Sequence, residues 1–374
     1  MQPIQHEPRR FVKGIIGPMP EEETRRTEKT GAIPDVIANS LQRLHCFDTA
    51  CPPLRMRRFH LHAFIAFAHV IELLNLTCQP DRMPAVCRML SSDSLRANLL
   101  RILPHHALSR LTHWVARLEM PGIAVLLRLF VRRYRLNMAE AVETDVGRYR
   151  SFNALFTRPL KPQVRPLDER PDALSSPADA VVSAFGNIVG NQIFQAKQHR
   201  YTIAALLGGD ETLAAEFQDG YFLTVYLSPK DYHRVHMPLD GHLRSMLHIP
   251  GRLFSVAPGV VERIPGLYAR NERVVAIFDT RIGPMAMALI GAINVGSIET
   301  VWAGEVTPPR GRSIGRWEYR DQNIQLSRGA EMGRFNLGSS VVLLLPRNSI
   351  EFLPTCSVGG TIQVRETLAH CVTG

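Results

Sequence analysis

Residues 331–346 read EMGRFNLGSSVVLLLP: a polar stretch, then Gly338-Ser339-Ser340, then an apolar run closed by Pro346. A short apolar run between turn formers, opening on β-branched valines, describes a buried strand, since a helix needs about ten residues or more. The same texture recurs outward from it. AVVSAFGNIVG (180–190), GYFLTVYLS (220–228), ERVVAIFDT (272–280), MALIGAINVGSI (287–298) and GTIQVRE (360–366) are β-branched or aromatic runs separated by Gly, Pro, Asn and Asp. They read as strands joined by turns. One helical interlude is expected near 202–218, capped by Thr202 and interrupted by Gly208 and Gly209. The predicted class is α+β, with N-terminal amphipathic helices followed by a largely antiparallel β-rich body.

The chain has 374 residues, 44 Lys+Arg against 34 Asp+Glu for a net charge of +10, and 45% hydrophobic residues. That apolar content excludes a disordered protein, and the length suits one large domain with an accessory region, or two domains. Cysteines at 46, 51, 78, 87, 356 and 371 are too few and too irregular for a disulfide scaffold. With His60 and His62 they do not repeat a zinc-ligand spacing, so no metal and a reducing compartment are expected. The first residues lack the apolar core of a secretory signal, and no apolar run reaches the roughly 20 residues that cross a bilayer. Three zones emerge: 1–98, mixed in charge; 99–150, rich in arginine; and 151–374, rich in β signals.

Residues 99–136 hold arginines at 101, 110, 117, 128, 132, 133 and 135 against one acid, Glu119. Leu99, Leu100, Ile102, Leu103, Leu108, Leu111, Trp114, Val115 and Leu118 lie between them, spaced mostly by three or four. That is a helical apolar stripe with a cationic opposite face, broken at Pro104 and Pro121. Such a segment suits the headgroup region of an anionic membrane, where each basic residue contributes about 1 kcal/mol. An amphipathic helix packed on its own domain has the same pattern. Nucleic-acid binding is a third reading of the charge, but no helix-turn-helix, zinc finger or RNA-binding motif accompanies it.

Four clusters in the β-rich zone carry reactive residues: SPADA (176–180), YLSPKDYHRVHMP (226–238), GSIETVWAGEVTPPRG (296–311) and GAEMGRFNLGSSVVLLLP (329–346). Singly, each has a plain structural explanation: Asp179 as a turn former, His233 and His236 as surface histidines, Gly338-Ser339 as a bulge. No Gly-x-Ser-x-Gly elbow is present. Together, an aspartate, a histidine and a serine admit a relay in which Asp orients His and His deprotonates Ser.

The segment from about 99 to 374 resembles bacterial phosphatidylserine decarboxylase. The resemblance is carried by ILP (102–104), RSFNALFTRPL (150–160), YHRVHMP (232–238), LYARNERV (267–274), VGSIETVWAG (295–304) and EMGRFNLGSS (331–340). In that family a proenzyme cuts itself inside a Leu-Gly-Ser-Thr motif, and the serine becomes an N-terminal pyruvoyl group. The resemblance implies a cut between Gly338 and Ser339, giving a β chain to 338 and an α chain over 339–374. Ser339 is then the precursor of the covalent pyruvate cofactor and the Schiff-base site. Asp179 and His236 complete the self-cleavage triad, and His233 serves the decarboxylation stage as proton donor. The Ser339 oxygen attacks the Gly338 carbonyl to form an ester, and loss of the Ser339 α-proton eliminates it. The dehydroalanine left behind hydrolyses to pyruvoyl and ammonia. Serine supplies both the nucleophile and the leaving β-oxygen, and glycine at 338 removes the Cβ that would crowd the attack.

The implied substrate is phosphatidylserine in an anionic membrane and the product phosphatidylethanolamine. The implied state is a homodimer of processed protomers bound peripherally at the cytoplasmic face of the bacterial inner membrane, with no nucleic-acid partner. Two positions depart from the family pattern. Ala180 stands where the Pro-Ala-Asp-Gly motif has glycine, at a cost of about 1 kcal/mol if the backbone there is left-handed. Ser340 replaces threonine and keeps the hydroxyl. Gly296-Ser297 is a second Gly-Ser pair, which the resemblance passes over. Residues 1–88 have no counterpart in the family, and Met89 resembles its usual start. Competing readings are a serine hydrolase using Asp179, His236 and Ser339 without self-processing, a non-enzymatic basic lipid-binding protein, and a pyruvoyl enzyme for a free amino acid.

Overall fold

The computed structural model describes residues 105–293, 296–308, 313–336 and 338–372. The segment 1–98, Pro104 and four of the six cysteines lie outside them. Helices α1 (His105–Ala116) and α2 (Ile123–Tyr134) come first, parted at Pro121 and Gly122, whose φ of 84° only glycine tolerates easily. A short α3 (Phe152–Phe156) follows, its first turn capped by Ser151 Oγ, which accepts from Ala154 N at 3.2 Å.

The strands are β1 (Ala173–Ser175), β2 (Ala180–Asn187), β3 (Gln192–Ala196), β4 (His199–Thr202), β5 (Tyr221–Leu227) and β6 (Arg234–His236). Next come β7 (Gly241–Ile249), β8 (Arg273–Thr280), β9 (Gly283–Ile290), β10 (Ile298–Thr300), β11 (Gly304–Glu305) and β12 (Gly315–Glu318). The last are β13 (Gln325–Leu326), β14 (Glu331–Phe335), β15 (Ser339–Leu345), β16 (Ile350–Phe352), β17 (Thr361–Ile362) and β18 (Thr367–Cys371). Every ladder between them is antiparallel. The principal sheet runs β12-β7-β8-β9-β15-β5-β2-β17, with β13 also on β7. A second sheet runs β11-β10-β14-β6, a third β1-β18-β16, and β3-β4 form a hairpin.

The run 339–345 is the strand expected from its sequence, and every residue of it is buried. It lies between β5 and β9 in the middle of the principal sheet, which explains the apolar residues on both its faces. The helical interlude divides as expected into α4 (Ile203–Leu206) and α5 (Glu211–Ala215). Thr202 Oγ1 caps the first, accepting from Ala205 N at 3.0 Å, and Gly208 and Gly209 separate them at φ of 81° and 93°. Ala180 begins β2 opposite Ile362 and is not among the residues with positive φ, so replacing the family glycine costs no backbone strain. Cys356 and Cys371 are free and buried, and burial raises both thiols, Cys356 to about 11.

Among the described residues no helix is long and apolar enough to cross a membrane. Helix α1 turns Thr112, Val115 and Ala116 inward but leaves Leu111 and Trp114 more than half exposed. Helix α2 buries Ile123 and Leu127 while Val125 and Leu129 stay about half exposed beside Arg128 and Arg132. The apolar stripe read from the sequence is therefore split. Part packs on the protein and part faces outward among arginines.

Candidate active site

The chain leaves β14 in one sheet at Phe335 and enters β15 in another at Ser339. Gly338 lies in neither ladder. Ser339 pairs with Leu227 of β5, but β9 joins β15 only from Ser340 onward. Beyond Ile290 the chain turns away, and a small cleft opens there, lined by Tyr226, Leu227, Ser255, Ala292, Ile293 and Gly338 among others. Ser339 is fully buried and its Oγ has no hydrogen-bond partner.

His233 comes to this place on the 228–233 loop before β6. Asp231 shapes the loop by accepting from Ser228 N and Ser228 Oγ, each at 2.7 Å. The Asp231 carbonyl then accepts from His233 Nδ1 at 2.9 Å. With its proton on Nδ1, the ring keeps a lone pair on Nε2, and that atom is buried without a partner. A Cβ on Gly338 would stand 4.0 Å from it. Phe156 packs on the ring with centroids 4.0 Å apart. Burial, with the Arg158 charge nearby as a smaller cause, pushes the imidazole down to about 3, so it is neutral near pH 7.

His236 is held differently. Its Nδ1 donates to Gly329 O at 2.8 Å, and its Nε2 accepts from the Tyr232 hydroxyl at 3.1 Å. Its backbone N–H donates to Pro177 O at 2.8 Å, which brings the Pro177–Asp179 segment alongside β6. Burial lowers this imidazole too. Asp179 Oδ2 accepts from Arg165 Nη2 at 2.6 Å, and its Oδ1 accepts from Arg165 Nε at 3.1 Å and from Val364 N at 2.8 Å. Arg165 also donates to Glu140 at 2.9 Å, and these bonds raise the guanidinium further above its usual range.

The structure brings His233 to Gly338, whereas His236 pairs with Glu331 and Gly329 at the other end of β14, next to Pro177, and the side chains are not joined as a relay. No hydrogen bond links Asp179 to His236, or Ser339 Oγ to either histidine. Tyr232, Asp231, Arg165 and Arg158 also shape the site and were not singled out by sequence. Arg158 is 3% exposed, donates only to Lys230 O at 3.4 Å, and has two nitrogens without partners. Tyr232 and Asp231 sit inside the quoted motif YLSPKDYHRVHMP. Arg158 sits inside RSFNALFTRPL (150–160), and Arg165 lies outside every quoted motif.

The orphaned Ser339 hydroxyl, the free Nε2 of His233 and the absent side chain at 338 fit a serine that is converted in place into a carbonyl group. A family profile described as Phosphatidylserine decarboxylase matches residues 152–370, and a second, described as PSD, matches 95–135. The chain is 58% identical to a phosphatidylserine decarboxylase proenzyme of Alkalilimnicola ehrlichii over 254 residues, 67% of this chain and 88% of the relative. It is 48% identical to that of Vibrio cholerae over 282 residues, covering 74% and 99%. It is 49% identical to that of Coxiella burnetii over 271 residues, covering 72% and 96%. The chain belongs to the phosphatidylserine decarboxylase family.

Proposed function

We propose that Ser339 is the residue from which this chain makes its cofactor, by a cut between Gly338 and Ser339. The overall activity follows from the family: autocatalytic serinolysis, then pyruvoyl-dependent decarboxylation of phosphatidylserine to phosphatidylethanolamine and CO2. The observation that supports Ser339 is its place at the crossing between two sheets, buried, with its Oγ unpartnered and the free His233 Nε2 close to Gly338. In the cut, Ser339 Oγ gives its proton to a histidine and bonds to the Gly338 carbonyl carbon. The Gly338–Ser339 C–N bond breaks as the nitrogen takes a proton, leaving an ester. His236, beside the Asp179 segment, is the base for this stage and Tyr232 its hydrogen-bond partner. A second reading gives the role to His233, and the 4.0 Å approach of its Nε2 to the Gly338 Cβ position favours it.

The pyruvoyl carbonyl supplies an electrophile for the substrate amine and a sink for the electrons released with CO2. The substrate arrives as an ammonium ion and must lose a proton before its nitrogen is nucleophilic. A neutral His233 takes that proton at Nε2 and, once charged, returns one to the product carbon. Leu227, Ala292 and Ile293 give the cleft apolar walls there.

Peripheral membrane binding through α1 and α2 completes the reading. Leu111, Trp114, Val125 and Leu129 enter the headgroup boundary, with Arg110, Arg128 and Arg132 on anionic lipid. Residues 99–150 form the docking region, 151–374 the catalytic body, and the processed protomers a homodimer at the cytoplasmic face of the inner membrane. Incubating the purified protein with phosphatidylserine vesicles tests the function. Phosphatidylethanolamine should form with wild type and not with Ser339→Ala. Equal product from both would refute Ser339 as the cofactor source.

A further inference from the structure

The second Gly-Ser pair, Gly296-Ser297, has no part in the chemistry, yet it is not idle. Gly296 takes a φ of 70°, and Ser297 behind it is 1% exposed. Ser297 O accepts from Asn336 N at 3.0 Å, and Ser297 Oγ pairs with Asn336 Nδ2 in a short hydrogen bond. Asn336 is therefore held twice, through main chain and side chain, two residues before Gly338. The same Ser297 Oγ accepts from Arg117 Nη2 at 3.2 Å. Arg117 directly follows α1 and also reaches both Glu305 oxygens at 3.5 Å, while His113 of α1 bonds Glu305 as well.

A continuous chain of hydrogen bonds thus runs from α1 through Arg117 and Ser297 to the residue that anchors the scissile segment. The anchor matters because neither sheet holds Gly338. Attack within a chain needs the oxygen and the carbonyl carbon about 3–3.5 Å apart and aligned, and a displacement of about 1 Å costs on the order of 100-fold in rate. We propose that Arg117, Ser297 and Asn336 are positioning residues for self-cleavage, and that they make the cut depend on α1 being seated against the β body. The inference rests on the cut falling between Gly338 and Ser339.

The test follows the appearance of the 339–374 fragment by intact mass during cell-free synthesis of the full chain, for wild type, Arg117→Met, Ser297→Ala and the double variant. Each single variant should slow the fragment about tenfold. The double variant should be no slower than the slower single one, because both remove one chain of contacts. Ser297→Ala protein that has been cut should turn over at the wild-type kcat, which a general loss of structure would not allow. Arg117 is partly exposed, so Arg117→Met carries the test even where Ser297→Ala fails to fold. Wild-type rates in Arg117→Met, or single effects that multiply in the double variant, would overturn the positioning chain alone. A wild-type chain cut elsewhere, or not at all, would overturn the cleavage reading and the positioning chain with it.

Discussion

His233 and Gly338 face each other across a gap that no side chain fills: a Cβ on Gly338 would stand 4.0 Å from His233 Nε2 and 3.6 Å from Leu227 O. Both are ordinary contact distances, so packing alone does not demand glycine. Gly338→Ala is therefore expected to fold with stability within about 0.5 kcal/mol of wild type. It should nevertheless accumulate uncut chain, because the new methyl occupies the space before the carbonyl that Ser339 attacks. Thermal melting beside denaturing gels checks this. A variant cut at the wild-type rate would show that the gap is not part of the chemistry.

The two histidines separate by stage. His236→Ala should leave the chain uncut, a loss of at least 100-fold in processing rate for a missing general base. His233→Ala should be cut and then fail to decarboxylate. Processing blocked in His233→Ala but intact in His236→Ala would instead assign the base to the residue nearest Gly338.

Both imidazoles are depressed by burial, His233 to about 3, while an unfolded histidine titrates near 6.5. Between these values the unfolded chain binds more protons, so stability rises with pH there. The contribution of the neutral His233 ring is complete above about pH 6.5 and is lost as pH falls toward 3, at most about 1.4 kcal/mol per pH unit, and His236 acts in the same direction. Melting temperature from pH 7 to 4 should fall less steeply in His233→Gln than in wild type. Parallel curves would contradict a neutral buried His233.

Arg165 is enclosed with Asp179 and Glu140, its side chain 8% exposed and that of Asp179 13%. Arg165→Met leaves a mostly buried carboxylate unpaired and should cost about 3–5 kcal/mol. Adding Asp179→Asn should recover part of the stability lost. Calorimetry of the single and double variants would show it, and a further drop in the double variant would mean that the pair is not the dominant loss.

On the membrane side, Trp114→Ala with Leu111→Ala removes two exposed apolar side chains without touching the inward face of α1. Binding to anionic vesicles in a sedimentation assay should weaken by at least tenfold, since about 1.4 kcal/mol suffices for that factor. Unchanged binding would move the contact elsewhere.

Much of the fold is legible in the sequence where one local rule acts alone. The run 339–345 reads as a buried strand because both its faces are covered, and Thr202 and Gly208-Gly209 mark helix ends by their own chemistry. The apolar stripe of α1 was legible only as periodicity. Which of its residues pack and which face outward depends on partners distant in sequence. At the site, the motifs named Ser339, His233, His236 and Asp179, but not their bonds. Arg165 takes the Asp179 carboxylate, and Tyr232 takes the His236 nitrogen, through contacts that no spacing rule encodes. Ser297 read as a decoy because its partners, Arg117 and Asn336, lie 180 and 39 residues away.

The most direct test of the central claim is the denaturing intact mass of purified wild type beside Ser339→Ala. Wild type should yield a fragment covering 339–374 with a pyruvoyl group at its first residue, absent from Ser339→Ala. A single uncut wild-type chain under folded conditions, or a fragment beginning at Ser297, would contradict conversion of Ser339 into the cofactor.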